Sequence, residues 1–342
     1  MPRRDRHKVE GMKAFAFFTV ICATAFCCFA AGTNSMERFS PHFTTNTKIL
    51  WQATNRLPGS FWIYKRLPTR PFLASVISNA VILASLEARG FPKPSTNEFF
   101  MAINPSNPMG MGLIFFLIQP STTTITYCTT NQMLSTNDVP DDETVRRRAF
   151  ECAARFGLGR AYLIPKDVYS ASNAPGRTDI FTNGICARGI YLSRKLDGIG
   201  FFGDANERRE GFSIEFGSHG RIRSFELVWP NLEHYQNSPT ASRAEIIHFI
   251  RAQRIIVIPN ADEATYFQRV EGLANARTFT ITQITPYYGE GVFGETPTND
   301  APPEFITPFA ELEAIADFGN SNATVRLLSP VLSSEVSRLL AK

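Results

Sequence analysis

Residues 188–235 read RGIYLSRKLDGIGFFGDANERREGFSIEFGSHGRIRSFELVWPNLEHY. Within this stretch, residues 212–216 alternate apolar and polar side chains with the two-residue period of a half-buried strand. Residues 217–220 begin and end with glycine and predict a turn. Gly220 suits the left-handed position of a three-residue loop because it has no Cβ to clash. We therefore predict three consecutive antiparallel strands in this stretch, and we take them as the centre of the fold.

The predicted turn also fixes the register of the hairpin that it closes. It places Phe216 opposite Ile222 on an apolar face and Glu215 opposite Arg223 on a polar face. In this register, the apolar residues beyond Ser224 lie on the opposite face of the strand from Ile222. The sequence therefore predicts either a β-bulge or a strand that is covered on both faces.

A helix followed by strands is predicted three times along the chain. The helices begin near Phe72, Asp141 and Ser242, and the last has the Ser-Arg-Ala-Glu pattern of a capping box. Residues 309–318 have helical propensity, but they precede a turn cluster, so we favour a strand over a short helix there. The resulting fold class is α+β, with tandem units that each pack one helix on a small antiparallel β-meander.

Composition and predicted elements divide the chain into six segments. A leader comes first, an aromatic arm follows, and the three predicted units occupy most of the remainder. The segments are a signal peptide or membrane anchor at 1–32, an N-terminal arm at 33–71, α+β units at 72–135, 141–235 and 240–332, and a C-terminal tail at 333–342.

The leader has the layout of a secretory signal peptide. Basic residues precede an apolar run at 14–32 that ends in small residues, and cleavage after Ala30 or Gly32 would place small residues where signal peptidase reads the chain. An uncleaved anchor remains the alternative, because about 18 uncharged residues can just span a bilayer. We predict an exported protein, periplasmic or extracellular, that touches the membrane only through this segment if the segment is retained.

The charge distribution argues against a nucleic-acid partner. The formal net charge is +4, and the first 31 residues hold five Lys or Arg against two acidic residues. The remaining chain is therefore almost neutral and lacks the dense basic patches that phosphate backbones reward.

The cysteine pattern does not indicate a disulfide framework. Three of the six cysteines lie in the leader, and Cys128, Cys152 and Cys186 remain in the body of the chain. This odd number is consistent with one disulfide and one leftover thiol or with three free thiols.

The arm supplies one group of candidate contact residues. Trp51, Phe61, Trp62 and Tyr64 could form an exposed platform for a sugar or peptide. Aromatic residues in such a segment more often pack it onto the adjacent domain, and we favour that interpretation.

Catalytic motifs are missing from the sequence. It contains no HExxH, paired CxxC, G-x-S-x-G or P-loop pattern, and residues 198–203 match G-x-G-x-x-G without the helix that a dinucleotide site needs, so they predict a hairpin. We predict no catalytic, cofactor-binding or metal-binding residue and no cofactor. The predicted ligand or partner contacts are Trp51, Phe61, Trp62, Tyr64, His219, His234, Tyr287 and Tyr288.

The second and third predicted units resemble two sets of exported bacterial modules. Residues 145–158 match their leading helix, residues 196–199 the kinked strand, residues 211–229 the hairpin and residues 306–331 the closing hairpin. In these features the chain resembles PepSY modules and the extracytoplasmic YycH/YycI regulatory proteins. More specifically, residues 191–203, 211–232 and 280–291 resemble segments of secreted bacterial proteins without an assigned function. Gly200 departs from the pattern, which usually has proline at that position. The resemblance covers about residues 140–332 and implies a regulatory or inhibitory binding role.

These observations together predict a non-catalytic binding or regulatory protein of the bacterial cell envelope. Its partner would be another envelope protein or a peptide, bound at sheet faces or exposed edge strands. The alternatives are an envelope-polymer hydrolase, in which folding would gather a histidine and two carboxylates, and a carbohydrate-binding module built on the aromatic arm.

Overall fold

The computed structural model describes residues 43, 46–68, 72–86, 94, 100–103, 114–120, 123–129, 138–172, 185–202, 210–258, 273–290 and 304–333. The predicted leader at 1–32 and all but the first residue of the predicted tail lie outside these residues. Within the described ranges, no helix is long and apolar enough to cross a membrane.

Three α-helices and sixteen strands are present in this part of the chain. The helices are α1 (Ala74–Leu83), α2 (Asp142–Arg155) and α3 (Arg243–Arg251). The strands are β1 (Lys48–Trp51), β2 (Ser60–Arg66), β3 (Phe100–Ile103), β4 (Ile114–Gln119), β5 (Thr124–Thr129), β6 (Leu163–Pro165), β7 (Tyr169–Ser172), β8 (Ile185–Leu196), β9 (Ile199–Gly200), β10 (Gly211–Phe216), β11 (Ile222–Val228), β12 (Leu232–Pro239), β13 (Ile256–Ile258), β14 (Thr278–Glu290), β15 (Phe305–Asp317) and β16 (Asn322–Pro330).

The strands form two large sheets. The nine-stranded sheet has the order β3-β4-β5-β11-β10-β8-β6, and β7 and β9 also pair with β8. The seven-stranded sheet has the order β1-β14-β15-β16-β13, with β2 bridging β15 and β12. All pairs in both sheets are antiparallel except β1 with β14, which is parallel.

The predicted fold class, tandem units of one helix on a small meander, is wrong. Strand β5 from the first predicted unit pairs with β11 from the second, so both units share one sheet. Strand β12 from the second unit pairs with β2 from the arm, which in turn pairs with β15 from the third. The physical reason is that unpaired strand edges gain hydrogen bonds by joining, and the local pattern of a strand does not encode which distant edge it joins.

The core of the nine-stranded sheet lies beneath helices α1 and α2. Both helices contribute fully buried side chains, such as Ala80 and Val145, to a cluster with sheet residues Phe212 and Phe225. Helix α2 begins as predicted, because the Asp141 carboxylate accepts a hydrogen bond from the Thr144 N–H at 2.7 Å. One sheet face therefore carries two helices, rather than each helix covering its own meander.

The central hairpin confirms the predicted strands and turn, and it confirms the predicted register only at the pair next to the turn. Strands β8, β10 and β11 are neighbours, and Phe216 pairs with Ile222 as predicted. Glu215 is opposite Ser224, so the predicted register with Arg223 is wrong, because a bulge intervenes between Glu215 and Phe216. The Arg223 guanidinium still forms an ion pair with Glu215 at 3.8 Å. Gly220 has the predicted left-handed backbone, with φ of 64°.

Two further local predictions are confirmed. Residues 309–318 lie almost entirely within β15, so the strand is correct and the short helix is not. The capping box of α3 is also present, since the Ser242 hydroxyl accepts from the Glu245 N–H at 3.2 Å and the Glu245 carboxylate accepts from the Ser242 N–H at 2.8 Å.

Gly189 on β8 lies beneath the ring of Tyr169 on β7. A Cβ at this position would lie 2.5 Å from Cζ and Oη of Tyr169 and 2.8 Å from Cγ of Glu215. We expect Gly189→Ala to lower the free energy of unfolding by about 1–3 kcal/mol, because the ring must move away from the sheet. Urea unfolding followed by circular dichroism would measure this loss.

Gly59 provides a matched control for this substitution. A Cβ there meets nothing within 4 Å, so Gly59→Ala should change stability by less than about 1 kcal/mol. Removing the ring with Tyr169→Ala should also make the alanine at position 189 less costly. Equal losses for both glycine variants would contradict the proposed clash.

Candidate functional site

The two sheets meet at the hairpin of β8 and β9. Asp197 and Gly198 form its two-residue turn with φ of 48° and 85°, the backbone that a tight type I′ hairpin needs. Beyond β9, Phe201 forms a parallel bridge with Tyr288 of β14, and the Phe202 N–H donates to the Tyr288 carbonyl at 2.9 Å. The G-x-G-x-x-G segment is thus a hairpin as predicted as far as Phe202, and its last glycine lies outside the described residues.

The turn places one carboxylate against paired strands of the seven-stranded sheet. The Tyr64 hydroxyl on β2 lies 2.6 Å from Oδ2 of Asp197, and Nε2 of His234 on β12 lies 3.1 Å from the same hydroxyl. Tyr64 and His234 are paired across the two strands. The Tyr64 side chain is buried, whereas the side chains of His234 and Asp197 are 50% and 43% exposed.

The chemistry of the three side chains determines which of them donates in each of these two hydrogen bonds. A carboxylate can only accept, so the Tyr64 O–H donates to Asp197. The Tyr64 oxygen then accepts from His234, which therefore has its proton on Nε2. Burial raises the pKa of the Tyr64 phenol far above its usual value, and the hydrogen bond and charge of Asp197 raise it further. Tyr64 therefore stays protonated and acts as a link rather than a base.

Aromatic rings surround the hydrogen-bonded residues His234, Tyr64 and Asp197. The Trp62 and His234 ring centroids are 4.5 Å apart with 32° between the planes, and Tyr64 meets Tyr288 edge-on at 5.4 Å. The Tyr288 hydroxyl donates to the Trp62 carbonyl at 2.9 Å, and burial raises the pKa of the Tyr288 phenol. We call Trp62, Tyr64, Asp197 and His234 the junction site.

A buried ion cluster connects the strands that carry the junction site. Glu210 is 3% exposed and lies 3.2 Å from Nη2 of Arg66 on β2 and 3.1 Å from Nη1 of Arg194 on β8. Arg194 also donates to the Pro230 carbonyl at 2.6 Å, and its guanidinium lies 4.5 Å from the Trp229 ring centroid. Burial lowers the pKa of Arg194, and the charge of Glu210 opposes that shift. The cluster ties the strand of Tyr64 to the strand that leads into Asp197.

The structure brings four of the eight predicted contact residues together, and it separates the other four. Trp62, Tyr64, His234 and Tyr288 lie at or beside the junction site. Phe61 is buried on the opposite side of β2, so the aromatic residues of the arm do not share one exposed face. The remaining placements are Trp51 below the Arg243 guanidinium at 5.3 Å, Tyr287 against Phe202 at 5.3 Å, and His219 paired with Asp138 at 2.9 Å.

Reactive thiols, a pair of carboxylates or a group of metal ligands would indicate catalytic or metal-binding chemistry. Cys128, Cys152 and Cys186 are free thiols, and burial raises the pKa of Cys128 to about 11. Among the described residues, one carboxylate, that of Asp197, lies within ion-pair distance of His234, whereas the hydrolase hypothesis requires two carboxylates beside a histidine. In the described part of the chain, no group of three His, Cys, Asp or Glu residues could hold a metal ion.

Comparisons with known proteins leave the family open. No family model matches the chain. No curated protein matches it. Among solved structures, an uncharacterized protein from Eubacterium rectale ATCC 33656 is similar to it, with a TM-score of 0.38 and 10% sequence identity over 82% of this chain and 86% of that one. The comparisons therefore give no support to the resemblance to PepSY and YycH/YycI proteins.

Proposed function

We propose that the chain is an exported binding or regulatory protein of the bacterial cell envelope, and that it holds a protein or peptide partner at the junction site. The observation that carries the proposal is the hydrogen-bonded chain from His234 through Tyr64 to Asp197 beside Trp62. Its outer members, His234 and Asp197, are half exposed, while its middle member is buried.

The site is built on rigid elements, which favours binding. Tyr64 and His234 lie on paired strands, and Asp197 lies in a two-residue turn. Because the turn and strands are fixed before a partner arrives, little conformational entropy is lost on association. Trp62 is an aromatic side chain within this fixed surface, and such residues contribute much of the binding free energy at protein interfaces.

The protonation state of Tyr64 also supports a binding role. Its raised pKa keeps the hydroxyl donating to Asp197 and accepting from His234. The phenol therefore orients two exposed polar groups, which is what recognition of a partner requires. The export part of the proposal rests on the basic leader and apolar run of residues 1–32.

A capture experiment tests the proposal. Trp62→Ala in the tagged full-length protein is expected to reduce cross-linking to its partner in intact cells by about tenfold or more, because a central aromatic anchor is lost. The cross-linked species would be quantified by mass spectrometry, and circular dichroism would verify that the variant is folded.

The matched control replaces another half-buried tryptophan of the seven-stranded sheet. Trp51 on β1 lies outside the junction site, so Trp51→Ala should leave partner capture near the wild-type level. Equal capture by wild-type protein and both variants would refute the proposed surface.

A further inference from the structure

The exposed polar atoms of the junction site are hydrogen-bond acceptors. Oδ2 of Asp197 accepts from Tyr64, and Oδ1 has no hydrogen-bond partner among the described residues. Because Nε2 of His234 donates to Tyr64, Nδ1 of the neutral ring is an acceptor, and it too has no partner in the described ranges. A ligand at the junction site must therefore supply hydrogen-bond donors rather than acceptors.

The exposed charge at the site is negative. Asp197 is 43% exposed, and no cationic side chain of the described residues lies within ion-pair distance of it apart from His234, at 3.8 Å and charged only when protonated. The two arginines of the buried ion cluster, Arg66 and Arg194, are 14% and 11% exposed, and both face Glu210. Their charges are therefore largely directed into the buried cluster and not toward a ligand.

Trp62 adds an aromatic surface to these acceptors. Its ring lies against His234 and remains partly exposed. A guanidinium combines positive charge, several N–H donors in one plane and a tendency to stack on indole rings. We propose that the junction site takes the guanidinium of an arginine side chain presented by the polypeptide partner. The identity of that partner as a polypeptide rests on the proposed function, whereas the preference for a guanidinium rests on the acceptors, the charge and the ring.

Tryptophan fluorine signals can report on this site directly. The chain has three tryptophans, so the full-length protein labelled with 5-fluorotryptophan gives three signals, which Trp→Phe variants assign. Titration with N-acetyl-argininamide is expected to shift the Trp62 signal saturably, with a Kd of roughly 1–10 mM for so small a contact. N-acetyl-citrullinamide has nearly the same shape without the charge, and at equal concentration it should not shift that signal.

Two carboxylate variants supply the specificity test. Asp197→Asn keeps an acceptor for Tyr64 but removes the charge, and it should abolish the arginine-dependent shift. Asp138 is an exposed carboxylate that also pairs with a histidine, His219, so Asp138→Asn is the matched control and should leave the shift unchanged. Equal shifts with the arginine and citrulline probes, or an unchanged shift in Asp197→Asn, would overturn the proposal.

The capture experiment and the arginine titration test the partner surface and the guanidinium preference separately. If Trp62→Ala abolishes partner capture but the arginine probe fails, the binding function stands and the guanidinium preference falls. If the probe binds in an Asp197-dependent way while capture survives Trp62→Ala, the guanidinium site stands and the proposed partner surface falls.

Discussion

Replacing Glu210 by alanine is expected to lower the free energy of unfolding by about 3–5 kcal/mol, because it leaves two arginines buried without their shared carboxylate. Arg66 and Arg194 are 14% and 11% exposed and lie 3.2 Å and 3.1 Å from the Glu210 oxygens. Water cannot readily replace the lost carboxylate at such positions, so the desolvation cost of both guanidiniums remains. Urea unfolding followed by circular dichroism measures the loss.

An exposed ion pair provides the control for this variant. Glu151 pairs with Arg147 at 2.7 Å on the surface of α2, where both side chains are more than half exposed, so Glu151→Ala should cost about 0.5 kcal/mol or less. Replacing all three cluster residues with apolar ones (Arg66→Met, Glu210→Leu and Arg194→Met) should cost less than Glu210→Ala alone, since no charge is then left buried. A Glu210→Ala loss as small as that of Glu151→Ala would show that the cluster is not a stabilising unit.

In the nine-stranded sheet, the sequence was sufficient to predict individual strands and the turn between them. The alternation in residues 212–216 and the glycines at 217 and 220 identified two strands and their turn. The bulge was foreseen only as one alternative, because a change of apolar parity after Ser224 shows that one residue is extra but not where it is inserted.

Long-range pairing is what the sequence could not predict. Strand β1 pairs in parallel with β14, and the Thr47 hydroxyl donates to the Ala276 carbonyl across 229 positions of sequence. Nothing in the local pattern of either strand names the other. Strand β12 was also missed as a strand, because five consecutive residues from Glu233 to Asn237 are exposed and no apolar alternation marks it.

The junction site shows the same limit at the level of single residues. Residue type alone pointed to Trp62, Tyr64 and His234, because aromatic and histidine side chains suit binding surfaces. Asp197 was missed, since an Asp-Gly pair after a strand indicates only a hairpin turn. Its role arises from contact with Tyr64, which is 133 positions away in the chain.

The described residues form one unit rather than a series of repeats. They all fall within the compact unit Ser40–Phe202 with Arg209–Lys342, and the β8–β9 hairpin connects its two sheets. A side chain at that connection should therefore affect the stability of both sheets, whereas in tandem units it would affect only its own.

Phe201→Ala is expected to lower the free energy of unfolding by about 3–5 kcal/mol, because it removes a buried ring where the two sheets meet. Phe201 is 4% exposed, and it packs in one cluster with Tyr64, Tyr288 and Ile306 of the seven-stranded sheet. The cavity would lie in the cluster that also holds Tyr64, Tyr288 and Leu196, so hydrogen exchange at backbone amides should accelerate in β8 of one sheet and in β2 and β14 of the other. Urea unfolding gives the free energy, and exchange measured by mass spectrometry locates the loosened strands.

Phe305 on β15 is the control, since its ring is only partly buried and meets Tyr235 at 4.9 Å near the exposed strand β12. Phe305→Ala should cost about 1–2 kcal/mol, because less apolar area is lost and solvent can fill the space. If Phe201→Ala cost no more than Phe305→Ala, or if faster exchange were confined to the nine-stranded sheet, the hairpin would not be coupling the sheets. The observed pairing of Phe201 with Tyr288 predicts instead that both sheets respond, because the removed ring belongs to the core of the strands on either side.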